Sequence, residues 1–250
     1  APDGDGHVAL SLPAIAVDDD LQQPMVGLEE LQRPGLAEHV IAHPRMLAGV
    51  PAQLVDDLAE RGWSLQSSFL PSDVTHKLAD ECRKREAEGA LAPAGVGRGE
   101  AQAVREGIRS DHIQWLEPGQ SPVCDDYLEV MDGLRQQLNR ELFLGLEEFE
   151  CHFAFYPPGA FYQTHLDRFR DDDSRSVTAV LYLNPDWQPA HAGELRMHMP
   201  DGSQLDVPPL AGNLVVFLSG EFPHEVLVTQ ADRLSLTGWF RRRPADPLAV

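Results

Sequence analysis

SVTAVLYLNP, residues 176–185, is the stretch that decides the fold. Its β-branched and aromatic residues favour an extended chain, and Asn184-Pro185 closes it with a turn. The same grammar recurs on both sides. Runs at 149–156, 163–168, 176–184, 193–199, 203–207, 213–218, 223–229 and 232–241 read as short strands. Pro157-Pro158-Gly159, Asp201-Gly202 and Ala211-Gly212 separate others of the set. Eight such strands with regular turns predict a jelly roll, two sheets closed around a pocket.

Upstream the period changes from two to about 3.6 residues. Residues 51–61 read as a helix with Leu54, Val55 and Leu58 on one stripe and Gly62 as its stop. A strand is expected at 63–69. A helix from a Ser72 cap to about Glu88 turns Val74, Leu78 and Cys82 inward. A short strand is expected at 108–116, and a long helix at 125–143 with Leu128, Met131, Leu134, Leu138 and Leu142 in line. The fold class is therefore mainly β, with N-terminal helices packed on one sheet of the roll. The expected organisation is an irregular extension at 1–50, with a short helix at 36–47, and a helical support region at 51–148. The strand core follows at 149–243 and a tail at 244–250. Within the support region, Gly-rich 94–110 reads as a mobile loop. It lacks the Lys and Ser/Thr of a phosphate cradle.

Composition excludes some function classes. A formal charge of −20 is wrong for a protein that tracks nucleic-acid phosphates. Arg241, Arg242 and Arg243 form the only dense basic run, read as a solvated end. No apolar run approaches the roughly 20 residues of a membrane span, and no secretory signal is visible. Cys82, Cys124 and Cys151 are odd in number and widely spaced, which points to plain burial in a reducing cytoplasm. A monomer is expected.

Chemistry enters with His165-Leu166-Asp167 and His224. Alternate residues on a strand share a face, with Cα atoms about 6.7 Å apart, so His165 and Asp167 can aim at one ion while Leu166 faces away. Two imidazoles and one carboxylate on one face suit a divalent iron with open positions. A turn at Gln230-Ala231 would pair His224 with Thr237 and Val228 with Arg233 in a hairpin. His224 and Arg233 would then point into the roll from the same face. A buried guanidinium needs a counter-charge, and a bound carboxylate would supply it. Tyr182 could donate a second hydrogen bond there. His152 is read as a core histidine, and Asp171-Asp172-Asp173 as a solvated turn. His191 and His198 fall on opposite faces around Glu194 and form no site.

As an ordered set, several motifs resemble the Fe(II)/2-oxoglutarate dioxygenases, and within them the bacterial relatives of the animal oxygen-sensing prolyl hydroxylases. They are Ile108-Arg109-Ser110-Asp111, Phe155-Tyr156-Pro157, His165-Leu166-Asp167, Leu181-Tyr182-Leu183-Asn184, Gly193-Glu194-Leu195-Arg196, Pro223-His224-Glu225-Val226, and Arg233 with Thr237 and Trp239. The resemblance implies a double-stranded β-helix core, with His165, Asp167 and His224 as Fe(II) ligands. It implies Arg233, Tyr182, Tyr156 and Thr237 around 2-oxoglutarate, and Arg175, Asp111, Trp239 and Arg109 along the substrate peptide. O2 is the second co-substrate and ascorbate an accessory. The expected reaction hydroxylates a proline in a partner protein, and the bacterial branch is associated with elongation factor Tu. Two alternatives stay open on the residues alone. One is an oxygenase acting on a free amino acid or other small molecule, the other a silent jelly roll that binds a protein.

Overall fold

The long hydrophobic stripes expected for helices form them. α1 (Ala52–Arg61) buries Leu54, Val55 and Leu58 and ends at Gly62, whose left-handed backbone (φ 79°) lets its N–H reach the Leu58 carbonyl. α2 (Ser72–Ala87) buries Val74, Leu78 and Cys82. Ser72 does not cap it. Pro71 occupies the cap position and the Ser72 side chain makes no capping bond, because the fixed φ of proline already directs the chain into the first turn. α3 (Pro122–Leu142) buries Cys124, Tyr127, Met131, Leu134 and Leu138. The Asn139 side chain then binds both the N–H and the C=O of Leu146, tying the helix end to the next strand.

In this computed structural model the described residues are 51–96, 103–104, 107–168 and 174–243, all within one unit, Ala42–Val250. The expected extension, its short helix at 36–47, the Asp171-Asp172-Asp173 turn and the tail at 244–250 lie outside them. The strands are β1 (Trp63–Gln66), β2 (Ala92–Pro93), β3 (Gly95–Val96), β4 (Ala103–Val104), β5 (His112–Trp115), β6 (Leu146–Tyr156), β7 (Tyr162–His165), β8 (Arg175–Tyr182), β9 (Leu195–His198), β10 (Gln204–Val207), β11 (Leu214–Leu218), β12 (His224–Val226) and β13 (Arg233–Arg242). All eight strands read from the sequence are present with shifted ends.

Two antiparallel sheets face each other. The major sheet runs β1-β11-β8-β13-β6-β5-β2 and the minor sheet β10-β9-β12-β7. β1, β2 and β5 come from the segment expected to supply helices. Around residues 94–110, β3 pairs with β4, the Ile108 carbonyl accepts from Gln163 of β7, and Ser110 N–H donates to Phe161 just before that strand; residues 97–102 and 105–106 are outside the description.

One expectation is overturned by this topology. β12 and β13 do not form a hairpin. β12 pairs with β7 and β9, whereas β13 pairs with β6 and β8. Residues 227–232 cross from the minor sheet to the major one, as closing a roll requires. His224 and Arg233 still both face inward, but from opposite walls. Arg241 is also not a solvated end: it pairs with Glu148 at 2.8 Å and Glu150 at 3.2 Å.

β13 separates two cores. Leu234, Leu236 and Phe240 join the helices in one apolar cluster. By the two-residue period, Arg233, Ser235, Thr237 and Trp239 take the opposite face, toward the pocket between the sheets. Tyr156, Tyr182, Val215 and Phe217 line that second interior. All three cysteines are free and buried, as their spacing suggested. Among the described residues no helix is long and apolar enough to cross a membrane.

Candidate metal centre

His165 and His224 are directly opposed across β7 and β12, with ring centroids 4.3 Å apart. β7 ends at His165, so Asp167 sits in the bend that follows rather than on the same strand. The bend still turns its carboxylate inward and leaves Leu166 exposed. Ligand atoms of His165, Asp167 and His224 lie within 4.8 Å of one another. Each Nε2 is 3.5 Å from one Asp167 oxygen.

The donor chemistry fits a metal ion. His165 Nδ1 bonds the Gln163 carbonyl at 2.8 Å and His224 Nδ1 the Phe222 carbonyl at 2.9 Å. A carbonyl only accepts, so each Nδ1 carries the proton and each Nε2 lone pair is left for the centre. Burial pushes the His224 imidazole below its ordinary value, which favours the neutral form that ligates. Burial would raise the Asp167 carboxyl, but His224 and then His165 override it and hold it well below the usual range. Thr178 donates to Asp167 Oδ2 at 2.8 Å and is itself 2.9 Å from the Ser219 hydroxyl. The sequence reading missed both, although Thr178 shares its strand face with Tyr182.

Arg233 is 1% exposed and lies between Tyr156 and Tyr182, with ring centroids 5.0 and 5.2 Å away. Its Nε donates to the Gly193 carbonyl at 2.7 Å, which points the two terminal nitrogens away from that edge. Among the described residues no carboxylate pairs with it. Among the described residues none makes a well-formed hydrogen bond to the buried Tyr182 hydroxyl. Burial pushes that phenol up to about 12, against the pull of Arg233. A permanently charged fork and an idle hydroxyl in one apolar chamber fit an anionic ligand with a terminal carboxylate. Thr237 lies on the same face, its hydroxyl 3.5 Å from that of Ser235.

Gly193 makes this arrangement possible. A Cβ there would stand 2.9 Å from Thr229 Cβ and 3.2 Å from Arg233 Cδ, and the backbone is left-handed (φ +71°). Gly193→Ala therefore displaces the guanidinium. The expected result is an affinity for the anionic ligand weakened roughly tenfold or more, since a loss of about 1.4 kcal/mol suffices; the KM for the 2-oxoglutarate that the resemblance implies would read it. An unaltered KM would show that the close contact is not needed.

The four residues expected to meet substrate fall into two contacting pairs. Arg109 grips Asp111 through two bonds of 2.7 and 2.6 Å and lies over Tyr162, which stacks on His165. Asp111 is 1% exposed beneath it. Arg175 lies 3.6 Å from the Trp239 ring centroid and donates to Glu150. Between the groups stand Trp115 and His152, in edge contact at 5.0 Å. His152, read as a core histidine, is buried, with Thr237 opposite it on β13.

Burial first, and then Arg109, pushes the His152 imidazole down to about 4; Asp111 opposes and Arg175 assists. The unfolded chain takes up this proton below about pH 6.5 while the folded chain refuses it until about pH 4. Stability therefore falls with pH across that window. Between pH 7 and 5 this one group costs about 2 kcal/mol. Urea titrations should show His152→Met losing that much less than wild type; parallel losses would contradict the assignment.

Two imidazoles and a carboxylate inside a double-stranded β-helix define a mononuclear non-haem metal site of the facial-triad class. Residues 151–241 match the family model of the 2OG-Fe(II) oxygenase superfamily. The crystal structure of a Pseudomonas putida prolyl-4-hydroxylase is 62% identical, covers 77% of this chain and 98% of its own, and superposes with a TM-score of 0.71. A Trichoplax adhaerens prolyl hydroxylase, solved with a hypoxia inducible factor oxygen degradation domain peptide fragment, is 25% identical. It covers 75% of this chain and 87% of its own, with a TM-score of 0.69. Human Egl nine homolog 1 is 28% identical over 196 residues, which are 75% of this chain but 45% of the human protein. The chain thus spans less than half the length of that curated relative. It belongs to the 2OG-Fe(II) oxygenase superfamily, among the prolyl 4-hydroxylase-type enzymes.

Proposed function

We propose that the protein hydroxylates a prolyl residue in a partner protein, using Fe(II), 2-oxoglutarate and O2. The observation that carries this reading is Arg233, a buried guanidinium with no carboxylate partner among the described residues, beside the buried Tyr182 hydroxyl in the chamber that holds the His165, Asp167 and His224 donors. His165 and His224 hold the iron through Nε2 and Asp167 through a carboxylate oxygen. Bound iron and keto acid supply the oxidation, in which 2-oxoglutarate and O2 become succinate and CO2 and one oxygen atom enters a prolyl C–H bond.

The chain's own residues do the rest. Arg233 and Tyr182 grip the distal carboxylate of the keto acid, and Tyr156 and Thr237 line its path. Thr178 fixes the Asp167 carboxylate, so the ligand does not rotate. The apolar walls, Val180, Val215 and Phe217 among them, keep water from the reacting centre. Arg175 and Trp239 form one bank of the substrate channel, Arg109 and Asp111 the other.

A rim built from two ion-paired arginines and a partly exposed Trp115 suits an extended peptide better than a free amino acid. The peptide bound to the Trichoplax relative supports the same choice. Elongation factor Tu is the partner we propose, with a reducing cytoplasm as the compartment, a monomer as the working form and ascorbate as an accessory reductant. Succinate release should rise with a prolyl peptide and not with free proline; the reverse would favour a small-molecule oxygenase. Elongation factor Tu recovered from cells with the enzyme should carry one more oxygen on a proline than that from cells without it. Identical masses would remove this partner.

A further inference from the structure

We infer that His152 is a specificity-determining residue, a fixed hydrogen-bond acceptor that reads a backbone N–H beside the target proline. The inference rests on the peptide reading above and sharpens it.

His152 is 3% exposed and sits on the pocket face of β6, opposite Thr237 on one side and Trp115 on the other. Its ring is held by edge contact with Trp115 and by Trp239, 5.6 Å away. Its Nδ1 lies 3.1 Å from the Phe153 carbonyl. Because that carbonyl can only accept, Nδ1 bears the hydrogen and Nε2 keeps a lone pair. Among the described residues nothing donates to that lone pair. With the side chain 3% exposed, that lone pair keeps only a narrow opening, where a ligand donor can satisfy it.

The surroundings narrow the donor. Arg109 is committed to Asp111. The guanidinium of Arg175 lies over Trp239 and donates to Glu150. The indole N–H of Trp239 has no hydrogen-bond partner among the described residues, so it does not reach this lone pair either, and the remaining donor is one that enters with the substrate. A prolyl residue within a chain has no N–H of its own. The N–H that reaches His152 must then belong to a residue adjoining the proline. A peptide provides that group at a fixed spacing from the ring to be oxidised, so His152 favours proline held within a chain.

The test uses the full chain with Fe(II) and 2-oxoglutarate, kept anaerobic so that binding is read without turnover. Tryptophan fluorescence follows the binding of a prolyl peptide and of the same peptide N-methylated at one flanking amide at a time. In wild type one methylated position should weaken binding roughly tenfold, the scale of one hydrogen bond to a buried acceptor. His152→Met keeps the bulk without the acceptor and should bind that methylated peptide and its parent alike. His152→Gln, which restores an acceptor oxygen, should recover part of the discrimination. Equal sensitivity of wild type and His152→Met at every position would overturn the inference while leaving the peptide reading intact. Failure of both proteins to bind any of the peptides would overturn the peptide reading, and the inference with it.

Discussion

Asp167→Ala loses iron-dependent turnover altogether. Two imidazoles remain, but His165 is partly exposed and both rings lose the carboxylate that lies 3.5 Å from each Nε2. A neutral pair of nitrogens holds a divalent ion far more weakly than the full set. The loss should also appear without any assay of activity. Metal at a hundred times its dissociation constant stabilises a folded protein by about 2.7 kcal/mol. Wild type should gain that increment on addition of Fe(II) under argon and Asp167→Ala should gain none. Turnover retained by the variant, or an equal metal-dependent gain, would place the iron elsewhere. His165→Ala should behave in the same way.

Arg233→Ala raises the 2-oxoglutarate requirement by roughly 2–5 kcal/mol, the range for removing one partner of a buried charge pair. At the low end that is about 30-fold. Arg233→Lys keeps the charge but gives up the planar fork, and should fall between the two. Stability separates binding from architecture. In the absence of the keto acid, Arg233 is a buried charge with no carboxylate partner among the described residues, so Arg233→Met should be no less stable than wild type. A large loss of stability, with an unchanged requirement, would make the arginine a structural post.

Much of the site could be read from order and parity alone. His165-Leu166-Asp167, a distant histidine and a later arginine survive as an ordered set whatever the strand ends do. The period-two pattern of 232–241 correctly put Arg233, Thr237 and Trp239 on one face. The partner of that strand was not legible. A short turn signal at Gln230-Ala231 describes a hairpin and a sheet-to-sheet crossing equally well, and only the closure of the roll decides between them. β1 and β5 were legible as the strands at 63–69 and 108–116, but not their place in the major sheet, and the two residues of β2 are too few for a period. His152, read as a core histidine, is buried as that reading expects, on the strand face it shares with Ala154 and Tyr156.

The position of His165 has a further consequence. It ends an edge strand whose free side is closed by residues 107–110 through Ser110, Gln163 and the stacking of Arg109 on Tyr162 and of Tyr162 on His165. Metal occupancy and the order of that closing segment are therefore linked quantities, and linkage runs both ways. A partner that steadies 107–110 as it docks tightens the hold on iron by the same factor by which iron tightens the hold on the partner. Chelator resistance would then report docking, in a protein whose ion lies at a sheet margin.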